Sequence, residues 1–268
     1  MNINQFIRLY GSEKKCISFI KTHREACGIS CPKCNSNVTN WKEKHLYWRC
    51  KCGKKISLKS GTLLESTKLK YAVWFKAIFL MTHVKKSYST LELARLLGIK
   101  RYRTVWYLCM KIRTAMGQEL LAREYFQFLY ILSKENKSEY NINSLRHNSI
   151  SAILKKAEKG RDEINLIAPQ ILHERVHARE VQLARKKYRC LKILGAHEKI
   201  ELKPAYTPTK PGIQLWMKKL LRNSNKLLNG IHHGVSFLHL QKYMFEFSFN
   251  YNYRYKDKFN PIIQQLLT

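Results

Sequence analysis

Acidic residues are scarce in this chain. Eighteen Asp plus Glu face fifty Lys plus Arg in 268 residues, and only two of the eighteen are aspartates, Asp162 and Asp257. The formal charge of +32 far exceeds what a neutral substrate requires. It points to a polyanion, because each phosphate neutralised by a cation releases counterions, and nucleic acid is the first expectation. The chain also lacks a run of about eighteen apolar residues and an export-type leader, which argues against a membrane partner and for a cytoplasmic, nucleoid-associated protein. In that reducing setting eight cysteines are more useful as metal ligands than as disulfides. Disorder throughout is excluded by the 45% apolar content, enough for a core.

The cysteines that are present are grouped. In "CPKCNSNVTNWKEKHLYWRCKCGKK", residues 31 to 55, Cys31 and Cys34 stand as C-x-x-C and Cys50 and Cys52 as C-x-C. Two such pairs facing one another across a hairpin supply four thiolates to one tetrahedral ion, with no open position for catalysis, so a structural zinc is expected. Gly53 fits a backbone turning beneath the metal with positive φ. The second pair is one residue shorter than the usual knuckle, which leaves Cys27 or His45 as alternative ligands. Cys16, Cys109 and Cys190 have no partner at ligand spacing and read as small packed hydrophobes.

Beyond Leu69 the pattern becomes helical. "YAVWFKAIFLMTHV" puts Val73, Phe75, Ala77, Ile78, Phe79 and Met81 on one broad apolar face, as in a buried helix. Ser89, three residues before Glu92, opens a second helix with a capping box, and Leu91, Ala94, Leu96 and Leu97 are expected inward. Gly98 ends it. From Tyr102 to Met116 the apolar positions are Val105, Leu108, Cys109, Ile112 and Met116, leaving basic residues outward. A helix, a glycine turn and a basic helix form the arrangement whose second helix enters a major groove. Lys100, Arg101, Tyr102, Arg103 and Thr104 would face bases, and Lys111 and Arg113 would touch phosphates.

These stretches, "CPKC", "WRCKCGKKISLKSGTLLESTKL" and "WFKAIFLMTHVKKSYSTLELARLLGIKRYRTVWYLCMKIRTAMG", resemble the front half of ISXO-type bacterial insertion-sequence transposases. A second resemblance lies in residues 216 to 255, where Trp216 precedes Asn223 and a "GIHHG" turn leads into an aromatic helix. The resemblance implies a multidomain α+β chain: a zinc ribbon with an amino-terminal helix over 1–60, a helix-turn-helix segment over 61–117 and a divergent ribonuclease-H-like α/β domain over 118–268. It implies double-stranded DNA as partner, at terminal inverted repeats, and a homo-oligomer.

The same resemblance sets a test for catalysis. Such transposases hold two divalent metals between two aspartates and a third group, and only grouped carboxylates can neutralise that charge. The first aspartate belongs on a strand soon after the helix-turn-helix, where this chain reads "REYFQFLYILSKENK"; the second projects near Lys186; the third position is met by Asn223. Strand cleavage is therefore expected to be lost, with magnesium relevant only to an active enzyme. Two other readings stay open, an active transposase with its acids elsewhere and a DNA-binding repressor without catalysis. Asp162 with Glu163, and Glu174, Glu180, Glu198 and Glu201, read as surface acids; His173 and His177 in "HERVHARE" are helically spaced but lack a third ligand. Helical periodicity is read in "INSLRHNSISAILKKAEK" and in "ILHERVHAREVQLARKKYRCLKIL". Near the end, Tyr243, Phe247, Phe249 and Tyr251 are expected to pack a helix onto a sheet, leaving Arg254, Lys256 and Lys258 to solvent or to DNA.

Overall fold

The computed structural model describes residues 1–83, 87–121, 128–132, 150–155, 163–167, 189–191, 200–204, 219–220, 222–224, 226–233, 235 and 237–267. Helices and two sheets make it a mixed α and β chain with two compact units, Met1–Ala115 together with Asp257–Thr268, and Met116–Lys256. Residues 1–60 and 61–115 thus belong to one unit, and so do residues 257–268, which lie within 118–268. Among the described residues no helix is long and apolar enough to cross a membrane.

The first unit opens with α1 (Ile3–Tyr10) and α2 (Glu13–Cys27). Asn2 caps α1 through a capping box with Gln5, and Ser12 caps α2. Three short strands follow, β1 (Trp41–Lys42), β2 (Tyr47–Arg49) and β3 (Lys55–Ser57), paired antiparallel in the order β1-β2-β3. Trp48 and Ile56 are register partners on the buried side, with Trp41 beside Trp48 at 4.5 Å between rings. The Trp48 Nε1 donates to Glu25 Oε1 at 3.1 Å and Arg24 donates to the Ser57 carbonyl at 2.9 Å, fastening the sheet to α2.

Helix α3 (Tyr71–His83) buries Trp74, Phe75, Ala77, Ile78, Phe79 and Met81; Val73 is only half-buried. Its first turn is capped from afar. The Glu13 carboxylate accepts from the amides of Tyr71 and Ala72 at 2.9 and 2.8 Å, satisfying orphan N–H groups where the helix dipole favours a negative charge. Helix α4 (Thr90–Leu97) follows, capped by Ser89, and Gly98 at φ +68° closes it, with the Gly98 and Ile99 amides returning to Arg95 and Ala94. Its inward face differs from expectation: Thr90, Leu93 and Ala94 are buried, whereas Leu91 and Leu96 are 58% and 53% exposed. Helix α4 packs on α3.

The boundary between the units falls within α5 (Tyr102–Leu121). In the second unit, β4 (Phe128–Leu132), β5 (Ile150–Lys155), β6 (Glu163–Ile167), β7 (Arg189–Leu191) and β8 (Ile200–Pro204) form a five-stranded sheet in the order β6-β5-β4-β8-β7. Only the β4–β8 pair is parallel. The segment from Ile150 to Lys155, read from sequence as part of a helix, is a strand because β4 and β6 flank it on both sides, and such long-range pairing overrides a short local period. Cys190 likewise falls in a strand.

Helix α6 (Phe237–Asn252) packs on β6. Tyr243 and Phe249 are buried and Phe247 and Tyr251 half-buried, in keeping with the expected packing of this helix on the sheet. The Asn252 side chain accepts from the Ile164 amide at 2.9 Å and donates to the Ile164 carbonyl at 2.8 Å, filling the ladder positions that an edge strand leaves open. Helix α7 (Phe259–Leu267) belongs to the first unit, where Phe259 joins Phe6, Tyr10 and Phe75 in an aromatic cluster and the Leu266 carbonyl accepts from the Leu63 amide.

Candidate metal centre and basic helix

Two turns bring the cysteines together. In the first, the Asn35 amide donates to the Cys31 carbonyl and the Cys31 amide to the Ser36 carbonyl, with Asn35 at φ +54°. In the second, between β2 and β3, the Cys50 amide bonds the Lys54 carbonyl and the Gly53 amide bonds the Cys50 carbonyl, with Gly53 at φ +85°. Asparagine and glycine stand where the left-handed backbone needs them.

The sulfurs of Cys31, Cys34, Cys50 and Cys52 all lie within 4.8 Å of one another, and this group can hold a metal ion. Cys31 and Cys52 are 3.6 Å apart and Cys34 and Cys50 3.5 Å. A disulfide would need about 2.05 Å, whereas a tetrahedral ion with bonds of about 2.3 Å spaces its sulfurs about 3.8 Å apart. The donor set therefore fits a closed four-thiolate site. Neither alternative ligand joins it: Cys27 lies beside His23, at 3.8 Å, and His45 stacks on Tyr47. The C-x-C pair reaches the cluster because Gly53 tightens its turn.

Ser36 also belongs to the site. Its hydroxyl is 3.1 Å from Cys34 Sγ and 3.2 Å from Cys50 Sγ, and these hydrogen bonds lower both thiols, Cys50 to about 6. The Lys54 amide acts in the same direction on Cys52, but desolvation and the neighbouring sulfurs push it up to about 11. The Lys33 amide donates to Cys31 Sγ at 3.4 Å. Such bonds orient thiolates and favour the deprotonated form that a metal requires. A serine two residues after a C-x-x-C is the only sequence signal that could have marked it.

On the helical side, Lys100, Arg101, Tyr102 and Arg103 are exposed at the start of α5 and Thr104 is half-exposed. Arg103 leans on Tyr107, its guanidinium carbon 5.7 Å from the ring centre. Of the two residues expected at phosphates, neither is fully exposed. Arg113 is 1% exposed, because it lies four residues after Cys109 and three before Met116, both on the buried stripe of α5. Lys111 is half-buried and donates to the Glu65 carbonyl at 2.8 Å, with burial lowering its pKa. The outward basic set is therefore confined to the first turns.

Asn223 is exposed, and β4, the first strand after α5, reads FLYIL without an acid. Among the described residues no group of three His, Cys, Asp or Glu gathers apart from the cysteines. Asp162, Glu174, Glu180, Lys186, Glu198, His173, His177 and Trp216 lie outside the described residues. Compared with protein-family models, curated proteins and solved structures, the chain finds no match.

Proposed function

We propose that this is a DNA-binding protein of the ISXO transposase type, in which a structural zinc held by Cys31, Cys34, Cys50 and Cys52 keeps a ribbon in shape and the α4–Gly98–α5 segment reads duplex DNA at terminal inverted repeats. The observation that carries the reading is the row of exposed residues Lys100, Arg101, Tyr102 and Arg103 at the amino end of α5, directly after a glycine turn, on a chain of charge +32. A helix start adds its own positive end to those side chains, which suits entry beside phosphates and bases. Zinc is favoured among metals by the all-sulfur tetrahedral donor set.

The carboxy-terminal unit is read as a relic of a ribonuclease-H-like nuclease. Its first strand offers no carboxylate, Asn223 is exposed, and among the described residues no group of three His, Cys, Asp or Glu gathers apart from the cysteines. Two-metal phosphoryl transfer needs closely placed carboxylates to hold the ions, so binding without cutting is the expected behaviour. Magnesium has no role in that reading.

The test is a binding titration of the zinc-loaded chain on an inverted-repeat duplex and on a scrambled one, with magnesium or manganese then added. Arg103→Ala should weaken binding to the preferred duplex by about 1–3 kcal/mol and leave the scrambled one nearly unaffected. Equal loss on both would reject groove reading. Metal-dependent strand cleavage abolished by changing a single acid would overturn the relic reading.

A further inference from the structure

The ribbon's outer face is unusual for a sheet that serves only to carry a metal. Register places Lys42 opposite Tyr47, Tyr47 opposite Ser57, and Arg49 opposite Lys55. Strand side chains alternate, so with Trp48 and Ile56 turned inward the side chains of Lys42, Tyr47, Arg49, Lys55 and Ser57 share the opposite face. Lys42, Arg49 and Lys55 are exposed, none of the five is acidic, and none of these three cations makes an ion pair with a described residue. Like charges directly opposite each other in a ladder oppose pairing. Arg49 against Lys55 is such a pair, and a neutral residue at either position would pair more favourably.

Tyr47 stands in the middle of this face. His45 stacks on it with ring centres 5.9 Å apart and Lys55 Nζ lies 5.3 Å from its ring. The stack depends on Leu46, held at φ +54°, which turns the chain between His45 and Tyr47. A non-glycine residue in the left-handed region costs free energy that the surroundings must offset. The nearest acid in sequence, Glu43, is engaged by the Trp41 indole. Lys51 and Lys54, both exposed in the second cysteine turn, extend the positive surface.

We infer that the outer face of β1-β2-β3 is a second nucleic-acid contact, gripping the phosphate backbone of duplex DNA through Lys42, Arg49 and Lys55 without reading sequence. The repulsion between Arg49 and Lys55 is relieved when a phosphate lies between them, and Tyr47 offers a hydroxyl and a ring edge to the sugar–phosphate chain. This rests on the DNA-binding reading above and extends it, because the ribbon there only carried the metal.

The experiment uses the full zinc-loaded chain and measures affinity for inverted-repeat and scrambled duplexes across a potassium chloride series. The double variant Arg49→Ala/Lys55→Ala should bind both duplexes roughly tenfold more weakly at low salt, with a log–log salt slope shallower by ~1.8 for two lost phosphate contacts. Arg101→Ala/Arg103→Ala is run beside it. If that α5 variant is impaired while the sheet variant matches the unmodified chain in affinity and slope, the inference fails and the DNA-binding reading survives. If the unmodified chain binds neither duplex, both fail. Metal content and melting temperature are checked for each. Should the double variant lose its metal, Lys42→Ala, outside both cysteine turns, takes its place, with an expected slope change of ~0.9. An unchanged slope there, or a loss confined to the inverted-repeat duplex, overturns the inference.

Discussion

In the first unit, residues 16 to 21 positions apart in sequence converge to within bonding reach of one ion, as Cys34 with Cys50 and Cys31 with Cys52 show. In the second unit, among the described residues, the groups that would hold metals do not gather: β4 offers none, and Asn223 is exposed. The first site is built by two tight turns, one closed by the Ser30–Asn37 bridge and one between β2 and β3, so local spacing almost decides it. A two-metal site would need strands and helices brought together over a hundred residues. A small, locally specified site depends on fewer placements than a long-range one, each ligand of which rests on a different element.

The sharpest way to break this comparison is to disable the four-cysteine site. If the site holds the zinc proposed above, Cys50→Ala or a strong chelator should abolish metal binding and collapse the near-ultraviolet signal of the Trp41–Trp48 pair, since structural zinc contributes about 10–16 kcal/mol to small sites at pH 7. An unchanged tryptophan signal would mean that the sheet stands without its ion. A smaller effect is expected in the second unit from Gly117→Ala. A Cβ there would overlap the ring of Phe245, and overpacking of this kind costs about 1–3 kcal/mol in a denaturant melt. No loss would show that α6 is not held closely against α5.

The smallest change is a slope. Burial pushes Cys16 up to about 12 from 9.0 and Tyr71 up to about 12 from 10.0, with Glu13 adding to both. Raised folded-state values favour the protonated forms, so their stabilisation is complete below pH 9 and is lost as pH rises towards 12. The thermal midpoint should fall across that window, and Cys16→Ala should make the fall shallower. Equal slopes for the two proteins would place Cys16 in contact with water, contrary to its burial.

What the sequence revealed follows the same division. The four cysteines, Gly53 and Gly98 were legible because each acts within a few residues of its neighbours. The apolar face of α3 was legible for the most part, since eight of its thirteen residues are buried. Glu13 as the cap of α3 was not, because it acts across 58 residues and no local motif marks it. The strand at Ile150–Lys155 was hidden because the six residues ISAILK fit either period, and its partners lie outside its own local stretch. Arg113 is a different case. Its burial could have been read from the stripe through Cys109 and Met116, but its charge outweighed its position.

Helix α7 gives the first unit a peculiar timetable. Phe259 supplies a ring to a cluster whose other members, Phe6, Tyr10 and Phe75, leave the ribosome far earlier. A nascent chain that has reached residue 250 therefore carries an open aromatic cavity at its front, sealed only when the last helix is made, and until then such exposed surface invites chaperones.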